Sequence, residues 1–128
     1  MSPFRILGID HIVLRVADPA RSERFYLETL GCRVAKRQEK QGLVHLDAGS
    51  ALIDLVPATE REAPGANVDH FCLRVEPFDE DAIRAHLAGL GIVVEPAKQR
   101  FGAEGAGPSV YLRDPDGNGI ELKGPPTA

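Results

Sequence analysis

One heptapeptide pattern occurs twice, and it constrains the fold more than any other feature. Residues 10–16 read DHIVLRV and residues 69–75 read DHFCLRV, each followed by a short polar turn, an amphipathic stretch and a Leu-Gly pair. Leu30-Gly31-Cys32-Arg33-Val34 then matches Leu90-Gly91-Ile92-Val93-Val94, and Leu52-Ile53-Asp54-Leu55 resembles Gly119-Ile120-Glu121-Leu122. Three matches in the same order make the chain two copies of a unit of about sixty residues. A unit that short buries too little surface to be secure alone. The 128 residues are therefore expected to form one domain in which unit one (about 8–58) and unit two (about 68–124) share a site, joined by a linker at about 59–67.

Each unit reads βαβββ, an α+β class. Residues 9–16 and 68–75 are apolar, partly β-branched and bounded by turn residues, as strands are. Asp18-Pro19 offers an N-cap and an N1 proline for a helix over Arg21–Leu30, with Phe25, Tyr26 and Leu30 at helical spacing and Gly31 at its end. Asp79 caps a second helix whose Ile83, Leu87 and Leu90 share a face. The remaining strands fall at Arg33–Gln38, Leu43–Asp47 and Ala51–Val56 in the first unit, and at Ile92–Glu95, Ser109–Arg113 and Gly119–Lys123 in the second. Asp114-Pro115-Asp116-Gly117-Asn118 is the turn before the last. Thirteen glycines and ten prolines suit this many short elements.

Function classes narrow quickly. Fifteen Lys and Arg against nineteen Asp and Glu, mixed along the chain, leave no basic footprint for nucleic acid or an anionic membrane. No apolar run is long enough to span a bilayer, and the start MSPFRILGIDH lacks a signal-peptide core, so a cytoplasmic location is expected. Cys32 and Cys72 sit in apolar stretches without CxxC spacing and read as small core residues.

Alternation along strands gives the chemistry. Ile12, Leu14 and Val16 form the helix-covered face of the first strand, which turns His11, Val13 and Arg15 the other way; Phe71, Leu73 and Val75 do the same for His70, Cys72 and Arg74. Asp54 and Glu121 occupy equivalent inward positions in the two units. Around a pseudo-twofold axis these residues bring two imidazoles and two carboxylates into one concavity, a donor set suited to a divalent metal with positions left for substrate. His45 and Tyr111 hold corresponding third-strand positions, with the face of His45 undecided by alternation. The Gly-rich stretch Arg100–Pro108 lacks GxGxxG spacing and a strand-to-helix context, which disfavours phosphate binding.

The order DHIVLRVADPARSERFYLETLG, DHFCLRV, SVYLRDPDGNGIEL resembles the vicinal oxygen chelate superfamily, which includes glyoxalase I, the bleomycin- and fosfomycin-resistance proteins and the extradiol dioxygenases. The resemblance covers roughly residues 8–124. It implies paired βαβββ modules in a mixed-sheet half-barrel pair around a metal held by His11, His70 and Glu121, with Asp54 where glyoxalase I has a Glu. It also implies one divalent ion (Ni, Zn, Co, Mn or Fe), a small-molecule substrate and a homodimer. A glyoxalase-like lyase or isomerase follows, with Glu121 or Asp54 moving the proton, Arg15 and Arg74 orienting an anionic substrate, and His45, Tyr111 and Arg100 lining its pocket. The stretch Arg100–Pro108 is expected to be a flexible flap carrying Arg100 and Glu104 toward substrate. Leu55-Val56-Pro57-Ala58 and Ala66 depart from the glutathione-binding pattern. An extradiol dioxygenase and a non-catalytic drug-binding protein are the alternatives; Val13, where fosfomycin-type transferases tend to have Thr, argues against that group.

Overall fold

The computed structural model describes residues 2–59, 67–113 and 119–127. The expected turn at 114–118, most of the linker and Ala66 lie outside them. The elements run β1 (Arg5–Val16), α1 (Pro19–Leu30), β2 (Arg33–Gln38), a 3-10 turn (Glu39–Gln41), β3 (Leu43–Asp47), β4 (Leu52–Pro57), β5 (Val68–Glu76), α2 (Glu80–Gly89), β6 (Lys98–Gly102), β7 (Gly105–Arg113) and β8 (Gly119–Lys123). The strands form one curled mixed sheet in the order β2-β3-β4-β1-β5-β8-β7-β6, an α+β half-barrel. The order is symmetric about the antiparallel β1–β5 pair, with β4 and β8 lying parallel to their inner neighbours.

The helices form where the capping chemistry puts them. Asp18 accepts from the Arg21 amide at the start of α1, and Asp79 accepts from the Ala82 amide at the start of α2. Gly31 closes α1 at φ 76°, a left-handed conformation that glycine adopts without a Cβ penalty, and its amide bonds back to Leu27. Two apolar clusters result. Val75, Ile83, Leu87, Val94, Val110 and Leu122 are buried under α2, while Val44, Leu46 and Leu55 are buried near α1 with Tyr26 and Leu27 packed on them.

Four expectations change. Tyr26 and Leu27, not Phe25 and Leu30, face the core; the latter two are exposed. Leu90 lies past the end of α2 and is exposed. Ile92–Glu95 is not a strand: the Ile92 amide bonds to Leu87 and Val94 packs into the α2 cluster while Val93 points to solvent, so the segment follows the helix instead of pairing with the sheet. The outer strand is β6 instead, and the expected Arg100–Pro108 flap is built into the paired β6–β7 hairpin, with Arg100 opposite Gly107. No helix among the described residues is long and apolar enough to cross a membrane.

Candidate metal centre

The central strand pair carries three register shifts, and two of them shape the site. Ile9 pairs with Leu73 and His11 with Cys72, so Asp10 is the extra residue on β1; Val13 pairs with His70 and Leu14 with Val68, so Asp69 is the extra residue on β5. A bulge disturbs the period-two alternation, so neighbouring side chains can share a face. Each Asp thereby meets the His that follows it. Asp10 Oδ1 lies 2.7 Å from His11 Nδ1, and Asp69 Oδ2 lies 2.7 Å from His70 Nδ1. With Nδ1 held by a carboxylate, each ring presents Nε2 inward, the orientation used by metal-bound imidazoles with a carboxylate behind them.

The two Nε2 atoms face one another at 3.3 Å, and Glu121 Oε1 stands 3.2 Å from His11 Nε2 and 3.1 Å from His70 Nε2. Donors bound at about 2.0–2.1 Å to one ion lie roughly 3.0–3.4 Å apart, so this triangle fits a divalent ion. Two nitrogens and one carboxylate also fit by chemistry, and buried Glu121 Oε2 has no hydrogen-bond partner among the described residues. A second convergent group, Asp10, His11 and Cys72, shares His11. There, Asp10 engages the opposite ring nitrogen, and burial pushes the Cys72 thiol up to about 12, keeping it protonated.

Charge is tightly coupled. Burial by itself depresses the His11 imidazole, but hydrogen bonds with Asp10, Cys72 and Glu121 outweigh it and raise it to about 12. His70 is raised against burial by Asp69 and Glu121. Burial favours the neutral form of Glu121, yet bonds to the two imidazoles hold it far below the usual carboxylate range.

Asp54 and Glu121 are equivalent in register, Asp54 opposite Val13 and Glu121 opposite Cys72, each two residues past the His on the neighbouring strand. Their surroundings differ. Asp54 Oδ2 is 3.9 Å from His11 Nε2, outside the tight triangle, and its Oδ1 is 2.8 Å from His45 Nδ1. His45, 3% exposed, points into the same cavity, its Nε2 2.7 Å from the Gln38 amide nitrogen and its ring against Phe101. Tyr111, the counterpart opposite Glu121, places its hydroxyl 3.2 Å from Glu121 Oε1 and 3.3 Å from His70 Nε2. These groups line a cavity of about 670 Å³. Arg100 lies at its wall, stacked 4.3 Å from the Tyr111 ring centre and donating to Ser109.

The remaining expected substrate residues are engaged by the protein. Arg15 lines the cavity but donates to Asp69 Oδ1 at 2.6 Å and to the Val68 carbonyl. Arg74 does not line it and pairs with Glu104 at 2.6 Å, which takes Glu104 away from the expected substrate contact as well. Sequence reasoning missed Asp10 and Asp69, because strict alternation puts each on the face opposite its neighbouring His; the signal was the DH dipeptide present in both halves.

The chain belongs to the Glyoxalase/Bleomycin resistance protein/Dioxygenase superfamily, whose family model matches residues 8–122. Among curated proteins it is similar to "Virulence protein STM3117" of Salmonella typhimurium, 34% identical over 89% of this chain and 81% of that protein. Among solved structures it is similar to methylmalonyl-CoA epimerase from Mycobacterium tuberculosis (22% identity, TM-score 0.68, 99% of this chain and 93% of that one). It is also similar to the Mn(II)-bound glyoxalase from Novosphingobium aromaticivorans (19%, TM-score 0.73, 93% of this chain and 38% of that one). Other relatives and neighbours bear the names of metallothiol transferases and dioxygenases, so enzymes predominate among them.

Proposed function

We propose that the chain is a divalent-metal-dependent enzyme of glyoxalase type, a lyase or isomerase that moves a proton between adjacent carbons of a small oxygenated substrate. The convergence of His11 Nε2, His70 Nε2 and Glu121 Oε1 within 3.3 Å carries it. A bound divalent ion would supply Lewis-acid polarisation of neighbouring substrate oxygens. His11, His70 and Glu121 would hold it. Asp54, with Oδ2 turned toward that group and Oδ1 against His45, serves as the base that takes and returns the proton. Tyr111 and Arg100 contact the substrate from the opposite wall. A homodimer in the cytoplasm belongs to the same proposal, and the exposed Ile6, Leu7 and Ile9 of β1 support an apolar contact between copies.

The Tyr111 hydroxyl, beside both His70 and Glu121, favours one other reading, an iron-dependent extradiol dioxygenase. Elemental analysis of purified protein together with turnover assays separates the two. Nickel, zinc, cobalt or manganese with isomerisation of an α-ketoaldehyde–thiol adduct supports the first, whereas iron with oxygen uptake on a catechol supports the second. Protein that stays metal-free in excess metal, yet binds small molecules, refutes both.

Metal binding is expected to release protons. His11, raised to about 12, is cationic in the metal-free protein near neutral pH, and His70 is shifted in the same direction by Asp69 and Glu121; ligation requires the neutral rings. Calorimetry in buffers of different ionisation enthalpy should report at least about one proton released per ion, and apparent affinity should rise by about tenfold or more per pH unit near neutrality. Affinity independent of pH would contradict the assigned ligands.

A further inference from the structure

We propose that His45 is a positioning residue for Asp54: its Nδ1–H holds one carboxylate oxygen so that the other faces the metal site, and Gln38 sets the tautomer this requires. The inference rests on the reading of Asp54 as the proton-moving base and names the groups that aim it. The two halves of the sheet give the first argument. His45 stands directly opposite Asp54 in the antiparallel β3–β4 ladder, and Tyr111 stands directly opposite Glu121 in the β7–β8 ladder. Directly opposed residues share one sheet face, with Cβ atoms about 4.5–5.5 Å apart. Each carboxylate of the site thus has a ring across the ladder, and in the second half that ring brings its hydroxyl within 3.2 Å of Glu121 Oε1.

In the first half the pair is buried, His45 and Asp54 each being 3% exposed. His45 Nδ1 and Asp54 Oδ1 lie 2.8 Å apart, and neither atom has a hydrogen-bond partner elsewhere among the described residues. Leaving either buried group unpaired is costly. An ionised carboxylate can only accept, so the proton between them belongs on Nδ1. A neutral ring protonated there keeps Nε2 as an acceptor, and the Gln38 amide nitrogen lies 2.7 Å from it. One direction of donation, Gln38 to His45 to Asp54, therefore satisfies all three side chains. The Phe101 ring, centred 4.9 Å from the imidazole, packs against it. Unlike His11 and His70, which turn Nε2 toward the metal triangle, His45 gives its Nε2 to Gln38 and its Nδ1 to the base. Asp54 Oδ1 is thereby engaged, and Oδ2 is the oxygen turned toward His11, 3.9 Å from its Nε2.

Nitrogen-15 NMR of the histidine rings in full-length, metal-free protein reads the tautomer without any measurement of turnover, and the signals lost in His45→Asn identify His45 among the four histidines. A neutral ring protonated on Nδ1 is expected; protonation on Nε2, alone or together with Nδ1, would overturn the proposal. Two substitutions then separate aiming from packing. Asparagine places an amide nitrogen where Nδ1 stood, whereas glutamine places one near Nε2. On an α-ketoaldehyde–thiol adduct, His45→Asn is expected to keep most of kcat and His45→Gln to lower it about 10–100-fold. KM, and zinc(II) affinity from chelator competition, should stay close to wild type in both. In an Asp54→Asn background His45→Gln should cost nothing further, since both substitutions disable one unit. Equal losses in the two His45 variants, or a loss of zinc affinity, would overturn the proposal. If substitution of the buried ring prevents folding, Gln38→Glu at the part-buried end, which replaces the donor by an acceptor, is expected to draw a proton onto Nε2; an unchanged ring spectrum there overturns the role of Gln38. Wild-type protein that binds zinc but turns over no adduct overturns the isomerase reading instead, and the tautomer alone then decides the His45–Asp54 assignment.

Discussion

Glu121→Ala is expected to abolish stoichiometric metal uptake and to lower turnover by about a thousandfold or more, the equivalent of several kcal/mol of lost charge stabilisation. Among the described residues Glu121 is the one carboxylate within 3.2 Å of both imidazole Nε2 atoms, and it is 1% exposed, so water cannot readily take its place. Without it the two rings face each other at 3.3 Å, each held toward its charged form by the Asp behind it. Loss of the carboxylate therefore removes the third donor and the anion that offsets any positive charge on the two facing rings. Mass spectrometry under native conditions reads the occupancy directly. One ion per chain in Glu121→Ala would show that the triangle is not the metal centre.

Asp54→Asn is expected to behave in the opposite way, keeping the metal while kcat falls about 10²–10⁴-fold, the usual contribution of a placed base. The amide fills the same volume but cannot accept the substrate proton. KM should change less than kcat, because Tyr111 and Arg100 supply substrate contacts that the substitution leaves in place in the proposed arrangement. A variant that loses metal along with activity would make Asp54 a fourth ligand instead of the base.

Much of this was legible in the sequence because duplication makes residues comment on each other. His11 alone is one histidine in a strand; His11 and His70 at matched places, with Asp54 and Glu121 at another matched pair, define an inward face without any structural input. In the structure both carboxylates sit two residues past the facing histidine. Failures came where alternation or local composition was trusted beyond its range. The bulges at Asp10 and Asp69 interrupt the period of two, so the residues nearest the histidines were the ones overlooked. Ile92–Glu95 is apolar enough for a strand, but Val94 is taken up by the α2 cluster. Glycines 102–107 suggested mobility, whereas two of them are positions where another chain segment comes too close for a side chain. Arg15 and Arg74 were expected from the family resemblance to orient an anionic substrate; neighbouring carboxylates, on another strand or in the hairpin, pair with them.

Asp54 and Glu121, matched in register but unlike in length, would divide the labour of the proposed site. Glu121 reaches both histidines, while the side chain one methylene shorter stops 3.9 Å from His11 and leans on His45. A glutamate at position 54 could reach the proposed metal position, and the proposed base would then be a fourth donor. The shortened arm keeps a carboxylate beside the centre yet outside its grasp. In the proposed site a single CH₂ thus separates an anchor from a working group, and the mismatch between the two strand positions gives the cavity room for chemistry.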